Sequence, residues 1–295
     1  MEPFFKPGNF PCCIYRRTRD ETDEYNTRGR EFIEALWQEC AAFLDPDALK
    51  RAADYMPPVF WELYLAHTLK SSGVSLQPMA RTKQNKKGPD LFATNPDVWI
   101  EAIMPELGKG PDAMEYPPRG GEAPVGRFIL RLTAAFHDKA RKMTEYMKSG
   151  LIQPGQATVI AISAAMLPNA IGEGDVPRIL QAILGVGNLV FRVARRTGKI
   201  ISRSVEHRDK IEKQSGKPIN TAPFLDPAYS HISAVVYSPC DWVNHPEKPG
   251  SDFTVIYNEN ANISLPHGWL QQVGEEYWRE CDELWRGQGE HPSAA

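Results

Sequence analysis

Cysteine is scarce in this sequence, and its spacing predicts neither a zinc knuckle nor a disulfide framework. The five cysteines are odd in number and include no C-x-x-C pair. Reduced thiols are the simplest interpretation, and they favour a cytoplasmic protein. Long apolar runs are missing as well, and the N-terminus has no basic segment followed by an apolar stretch. We therefore expect no membrane partner and no targeting signal.

A strong excess of charge is also missing. The chain has 34 basic and 37 acidic residues among 295, which gives a formal net charge of −3. A net charge of this size and sign does not by itself indicate nucleic acid as a partner. Basic residues nevertheless cluster locally, so a positive groove on a mildly acidic molecule stays open. The clusters lie at 81–87 (RTKQNKK), 139–148 and 192–199 (RVARRTGK).

The spacing of apolar residues predicts an α/β fold. Segments 28–44, 59–72 and 127–149 show the helical period. Shorter and partly β-branched segments at 74–77, 91–93, 98–104 and 158–163 are typical of strands. Helix, strands, helix and strand in this order indicate an α/β architecture.

The second half of the chain predicts further elements and no separate domain. We expect a helix at 176–184, a hairpin formed by 189–194 and 200–204, and strands at 232–237 and 253–257. A final helix is predicted from residues spaced four apart, namely Trp269, Val273, Tyr277, Cys281 and Trp285.

No internal repeat or low-complexity linker divides the chain. We expect an N-terminal helical arm at 1–58, irregular over about its first 25 residues. It precedes an α/β domain at 59–295, with its core at 59–163 and a C-terminal elaboration.

The segment PDLFATNPDVWIEAI places two carboxylates opposite each other. Residues 94–97 (TNPD) form a strong turn signal. If Ala93 lies opposite Val98, counting outward places Asp90 opposite Glu101. Directly opposed residues lie roughly 4.5–5.5 Å apart at Cβ, where like charges are destabilising. A Mg²⁺ or Mn²⁺ ion held by both carboxylates would compensate and would suit phosphodiester hydrolysis. The alternative is a surface hairpin with two solvated acids.

Three further residues are candidates for the same site. Glu62 shares a helix face with apolar residues, which is costly unless it is paired or near a metal. Lys139, Lys142 and Tyr146 are spaced three and four apart and share one helix face, where a cation could orient water or stabilise developing charge. For each of these residues, an ordinary solvated helix position is the alternative, as it is for the RTKQNKK loop.

These residues together resemble the PD-(D/E)XK, or restriction-endonuclease-like, nuclease superfamily. The resemblance covers 59–163: a helix with FWE, a strand, Pro89-Asp90, a turn, the strand VWIEAI, a long helix and a buried strand. It implies a central mixed β-sheet flanked by helices and a restriction-endonuclease-like core with insertions. It also implies metal bound by Asp90 and Glu101, aided by Glu62, and cleavage of DNA or less often RNA.

One position departs from the family pattern. The family has lysine two residues after the second acid, where this sequence has Ile103. In some members that lysine lies on the following helix, where Lys139 or Lys142 would replace it. Lys142 and Tyr146 also resemble the Gln-x-x-x-Tyr element of the exonuclease branch.

Two functions follow from these residues. The first is a Mg²⁺- or Mn²⁺-dependent nuclease acting on nucleic acid, most simply DNA, with Glu62, Asp90, Glu101, Lys139 and Lys142 at its site. The second is a degenerate member that binds nucleic acid or acts as a scaffold. A homodimer stays open. An unrelated hydrolase has little support, because G-x-S-x-G, H-E-x-x-H, P-loop and dinucleotide motifs are absent.

Overall fold

An eight-stranded mixed β-sheet forms the centre of the protein, in a computed structural model that describes residues 2–79, 87–116, 124–174, 176–270, 274–280 and 283–287. The strands in chain order are β1 (Ser75–Leu76), β2 (Leu91–Thr94), β3 (Val98–Ile103), β4 (Ala157–Ser163), β5 (Val186–Val193), β6 (Ile200–His207), β7 (Lys210–Glu212), β8 (Pro218–Asn220), β9 (Ala234–Ser238), β10 (Thr254–Tyr257), β11 (Glu275–Glu280) and β12 (Glu283–Arg286).

The sheet has the order β1-β2-β3-β4-β9-β10-β11-β12. Strands β3, β4 and β9 run parallel to one another, as do β10 and β11, and the remaining neighbours are antiparallel. Two hairpins, β5-β6 and β7-β8, lie outside the sheet. The expected central mixed sheet flanked by helices is confirmed.

Helices cover both faces of the sheet. The described α-helices are α1 (Cys13–Asp20), α2 (Glu24–Cys40), α3 (Ala48–Asp54), α4 (Met56–Ser71), α5 (Val125–Lys148) and α6 (Arg178–Ile183). Short 3₁₀ turns occur at Ala41–Phe43, Pro223–Leu225 and Pro227–Tyr229.

The alternation of side chains along β3 separates two apolar cores. Val98, Ile100 and Ala102 belong to the core that contains residues of α1 to α4, whereas Trp99 and Ile103 belong to the core under α5 and α6. The first core buries α4 on nearly all sides, as expected of a helix that is apolar around its circumference. Residues 2–54 supply the outer cover of α4.

The predicted register of the hairpin before the first core strand is confirmed. Ala93 pairs with Val98, Phe92 with Trp99 and Leu91 with Ile100. The turn between the strands contains Asn95 at φ +60°, a conformation that asparagine tolerates better than most residues.

Two predictions from the sequence are wrong. The last segment forms strands β11 and β12 where a helix was predicted, because β11 pairs in parallel with β10 and extends the sheet. Aromatic residues such as Tyr277 and Trp278 suit that pleated surface. The irregular lead-in contains a helix, α1, whose first turn is capped by the Cys12 sulfur accepting the backbone N–H of Tyr15. Val273 and Cys281, part of the wrongly predicted helix, lie outside the described residues.

Two further properties concern membrane-spanning helices and the state of the cysteines. No helix in the described ranges is long and apolar enough to cross a membrane. Four of the cysteines, Cys12, Cys13, Cys40 and Cys240, are free thiols.

Candidate active site

The candidate site lies where β2 begins and β3 ends, and Asp90 is its first member. The backbone N–H of Asp90 donates to the carbonyl of Ile100 at 2.9 Å, and its Oδ2 accepts the N–H of Ala102 at 2.7 Å. These two bonds hold the carboxylate against β3 beside Glu101. The side chain is half-buried, so one end of the site is open to solvent.

Glu101 is the buried centre of the site. Its side chain lies on the α5 side of β3, on the same face of the strand as Trp99 and Ile103, and is 3% exposed. Lys139 on α5 donates to Oε1 of Glu101 at 2.5 Å, and the Lys142 ammonium lies 3.7 Å from the same oxygen. The other oxygen, Oε2, is buried and has no hydrogen-bond partner among the described residues. One oxygen of this carboxylate therefore has no partner in the part of the chain that the structure describes.

The positive charge of Lys139 offsets only in part the effect of burial on the pKa of Glu101. Burial raises the pKa of Glu101, the charge of Asp90 raises it further, and Lys139 counteracts both. For Lys139, burial would lower the pKa of the ammonium, but the charges of Glu101 and Asp90 outweigh burial and raise it. Lys139 is thus held in its charged form by the same two carboxylates that a metal would use.

Glu62 lies on the opposite face of the sheet and is satisfied by a different cation. Both of its oxygens accept from the Arg51 guanidinium, at 2.6 and 2.7 Å, in a bidentate ion pair. Burial raises the pKa of Glu62 to about 7, Arg51 opposes that rise, and the charge of Asp90 adds to it. The hydrogen bonds to Glu62 raise the pKa of Arg51. Asp90 thus acts electrostatically on Glu62 and on Glu101.

Tyr146 completes the α5 face of the site. Burial raises the pKa of its phenol, and the charges of Glu101 and Asp90 raise it further, so the hydroxyl stays protonated at neutral pH. The phenol is therefore a neutral hydrogen-bond donor near the carboxylates of Glu101 and Asp90.

Arg51 is the partner of Glu62 that sequence reasoning missed. The apolar helix face around Glu62 predicts that this carboxylate needs a partner, but the partner lies on α3, a separate short helix. The only local signal is the spacing of Asp47 and Arg51, which form an ion pair at 3.2 Å. Of the RTKQNKK loop, 81–86 lie outside the described residues.

The donors that remain suit a hard divalent cation. Among the described residues no group of three or more histidine, cysteine, aspartate or glutamate side chains is arranged to hold a metal ion. Mg²⁺ commonly takes only one or two protein carboxylates and completes its shell with water and substrate phosphate. Asp90 and the free Oε2 of Glu101 meet that requirement, whereas Glu62 uses both oxygens on Arg51.

Comparison of the chain with protein-family models, with curated proteins and with solved structures gave no match.

Proposed function

We propose that this protein is a metal-dependent nuclease that hydrolyses phosphodiester bonds of DNA, with Mg²⁺ or Mn²⁺ as its cofactor. One observation carries the proposal: a buried glutamate has one oxygen on a lysine and the other without a partner, next to a second carboxylate. A buried acceptor left unpaired costs roughly 1–3 kcal/mol, and more when it is charged. A bound cation would remove that cost.

Asp90 and Glu101 would hold the cation, through the half-buried carboxylate of the one and Oε2 of the other. When bound, the cation supplies Lewis-acid neutralisation of the phosphate charge and lowers the pKa of a bound water. The Ala102 N–H fixes Asp90 for this role, because it holds Oδ2 at 2.7 Å and so sets the orientation of the carboxylate.

Lys139 and Lys142 supply the positive charge that the family pattern places two residues after the second acid. Ile103 occupies that position here and packs against the α5 core. Lys139 instead reaches Glu101 from α5, where its ammonium orients the carboxylate and offers remaining donors to a phosphate oxygen. Lys142, more exposed and farther from Glu101, adds charge at the rim. The protonated Tyr146 hydroxyl can donate to the same region.

Cleavage assays with purified protein test the proposal. Linear DNA, circular DNA and RNA are incubated with Mg²⁺, with Mn²⁺ and with EDTA, beside Glu101→Gln and a matched control, Glu145→Gln. Glu145 lies on the same helix as Lys139 but is exposed and paired only with Arg141 among the described residues. Metal-dependent cleavage by the wild type and the control, lost in Glu101→Gln, is the expected result.

A second function is favoured by the balance of charge at the site. Glu101 has the ammonium groups of Lys139 and Lys142 near it, and Glu62 has the Arg51 guanidinium, so both buried carboxylates have cationic partners without any metal. Such a cluster is also what a nuclease-like protein would retain if it only bound nucleic acid or served as a scaffold. Calorimetry with Mg²⁺ and Mn²⁺ separates the two functions, because a purely structural cluster would bind neither ion and would cleave no substrate.

A further inference from the structure

The β5-β6 hairpin is a two-stranded ribbon that lies outside the sheet. Its strands pair in register from Val186 with His207 to Val193 with Ile200, with irregularities near both ends. The base is anchored, because Val186 is buried and Leu189 and Val205 pack against the α5 core. Beyond that base, both faces of the ribbon are largely exposed.

The outer half of the ribbon exposes several apolar side chains to solvent. Five of them are between 46% and 63% exposed: Val190, Phe191, Val193, Ile200 and Ile201. Single exposed apolar residues are ordinary, but a cluster of this kind is typical of an interaction surface. An isolated hairpin is also only marginally stable in water, so the ribbon gains by contact with a partner.

The charge on the same ribbon indicates what that partner is. Residues 186–207 contain five basic residues and one acidic residue, in a chain whose formal net charge is −3. All five cations are exposed, and they are Arg192, Arg195, Arg196, Lys199 and Arg203. Within the described ranges, Arg195, Arg196 and Lys199 at the turn take part in no ion pair. Cationic side chains suit the phosphates of nucleic acid, and apolar side chains beside them suit base edges in a groove, such as the thymine methyl.

The shape of the ribbon distinguishes between kinds of nucleic acid. The major groove of B-form DNA, about 12 Å wide, admits a two-stranded β-ribbon, whereas that of A-form RNA is too deep and narrow for side chains to enter. The base of the ribbon joins α6, which lies on the same side of the sheet as Glu101 and Lys139. A duplex held by the ribbon would therefore approach the protein on the side of the candidate active site.

We infer that the β5-β6 ribbon is a docking arm for double-stranded DNA. The cations near its turn contact backbone phosphates, and the exposed apolar side chains contact the groove. This inference rests on the proposed function only in taking DNA as the partner, since binding by the arm requires neither metal nor cleavage.

Binding measured in EDTA tests the arm separately from any nuclease activity. The probe is a short fluorescein-labelled DNA duplex of random sequence, compared with its single strand and with an RNA duplex, by anisotropy over a range of salt concentrations. The test variant is Arg195→Ala/Arg196→Ala. The matched control is Arg17→Ala/Lys248→Ala, which removes two exposed positive charges elsewhere.

The expected result is selective loss of DNA duplex binding. Each phosphate contact contributes about 0.9 to the slope of log affinity against log salt, so the test variant should lower that slope by about 2 and affinity by about tenfold. The control should match the wild type. Absence of duplex binding by the wild type, or equal binding by the test variant, would overturn the inference.

A second copy of this chain is the competing occupant, and one further variant addresses it. Ile200→Ser/Ile201→Ser removes exposed apolar surface without changing charge. The inference is supported if this variant binds duplex more weakly and its sedimentation is unchanged. If it converts a dimer to a monomer and leaves duplex affinity intact, the ribbon is a self-association surface and the inference fails.

Discussion

Glu62 and Glu101 are both buried glutamates, and they lie on opposite faces of the same sheet. The charge of Asp90 raises the pKa of each. Each has a basic partner, but the two partners differ in what they leave free. Arg51 is a planar fork that occupies both oxygens of Glu62, whereas the Lys139 ammonium reaches only one oxygen of Glu101. A carboxylate with both oxygens occupied holds a fold together, and one with an oxygen to spare can also bind a ligand.

The largest expected difference between the two glutamates is in catalysis. Glu101→Ala should lower the cleavage rate by roughly a thousandfold, because several kcal/mol of charge stabilisation by a metal correspond to about that factor. Glu62→Ala, made together with Arg51→Ala so that no charge is stranded, should retain most of the activity per folded molecule. Initial rates on linear DNA in Mg²⁺ measure both. Comparable losses in the two proteins would show that Glu62 is a metal ligand after all.

The next largest difference is in stability. Arg51→Met leaves Glu62 buried without its cation and should lower the free energy of unfolding by about 3–5 kcal/mol. Replacing both partners, as in Arg51→Met/Glu62→Leu, should recover most of that loss. Urea unfolding followed by tryptophan fluorescence measures the change. A single variant as stable as the wild type would contradict the structural role of this pair.

The stability deficit of Arg51→Met has a defined dependence on pH. A carboxyl whose pKa is raised on folding stabilises the protein below its unfolded pKa, and that contribution is lost as pH rises through the folded pKa. The folded pKa of Glu62 is already about 7. The deficit should therefore be larger at about pH 8 than at about pH 5.

Metal affinity should depend on pH through Glu101 in particular. Its raised pKa means that protons compete with the metal over a wider acidic range than at an ordinary glutamate. Affinity for Mn²⁺ should rise by up to about tenfold per pH unit below that pKa and then level off. Calorimetry across pH measures the profile, and Arg51→Met/Glu62→Leu should leave it nearly unchanged. A flat profile in the wild type would exclude Glu101 as a ligand.

The smallest contrast is between the two lysines on α5. Lys139 contacts Glu101 and is mostly buried, whereas Lys142 is 3.7 Å away and 44% exposed. We expect Lys139→Met to lower kcat about a hundredfold and Lys142→Met by less than about tenfold. Steady-state kinetics of the two variants make the comparison. The reverse order would assign the catalytic ammonium to Lys142.

The sequence predicted the centre of the molecule because local signals and tertiary structure agree there. The turn at 94–97 and the alternation along β3 determine the register that brings Asp90 beside Glu101. The three-residue spacing of Lys139 and Lys142 likewise places both ammonium groups toward Glu101. A short-range pattern is sufficient for the register and for the shared helix face, whereas the direction of that face toward Glu101 also depends on the packing of α5 against β3.

The sequence failed where a distant partner decides the outcome. The spacing of Trp269, Tyr277 and Trp285 is helical, but the edge of β10 offers strand pairing, and the chain takes it. The pairing of Glu62 with Arg51 depends on how α3 packs beside α4, which no periodicity records. Membership of the nuclease superfamily stays a prediction from the motif residues.

The cover that residues 2–54 form over α4 has a consequence for local unfolding. Arg51 belongs to this segment, so any opening that lifts α3 away from α4 also exposes an apolar helix and breaks the ion pair of Glu62. Such an opening is costly on both counts, and amides that are exposed by the same opening event exchange as one unit. The amides of α2, α3 and α4 should therefore behave as one cooperative unit in hydrogen exchange, with protection lower than that of the central strands β3 and β4.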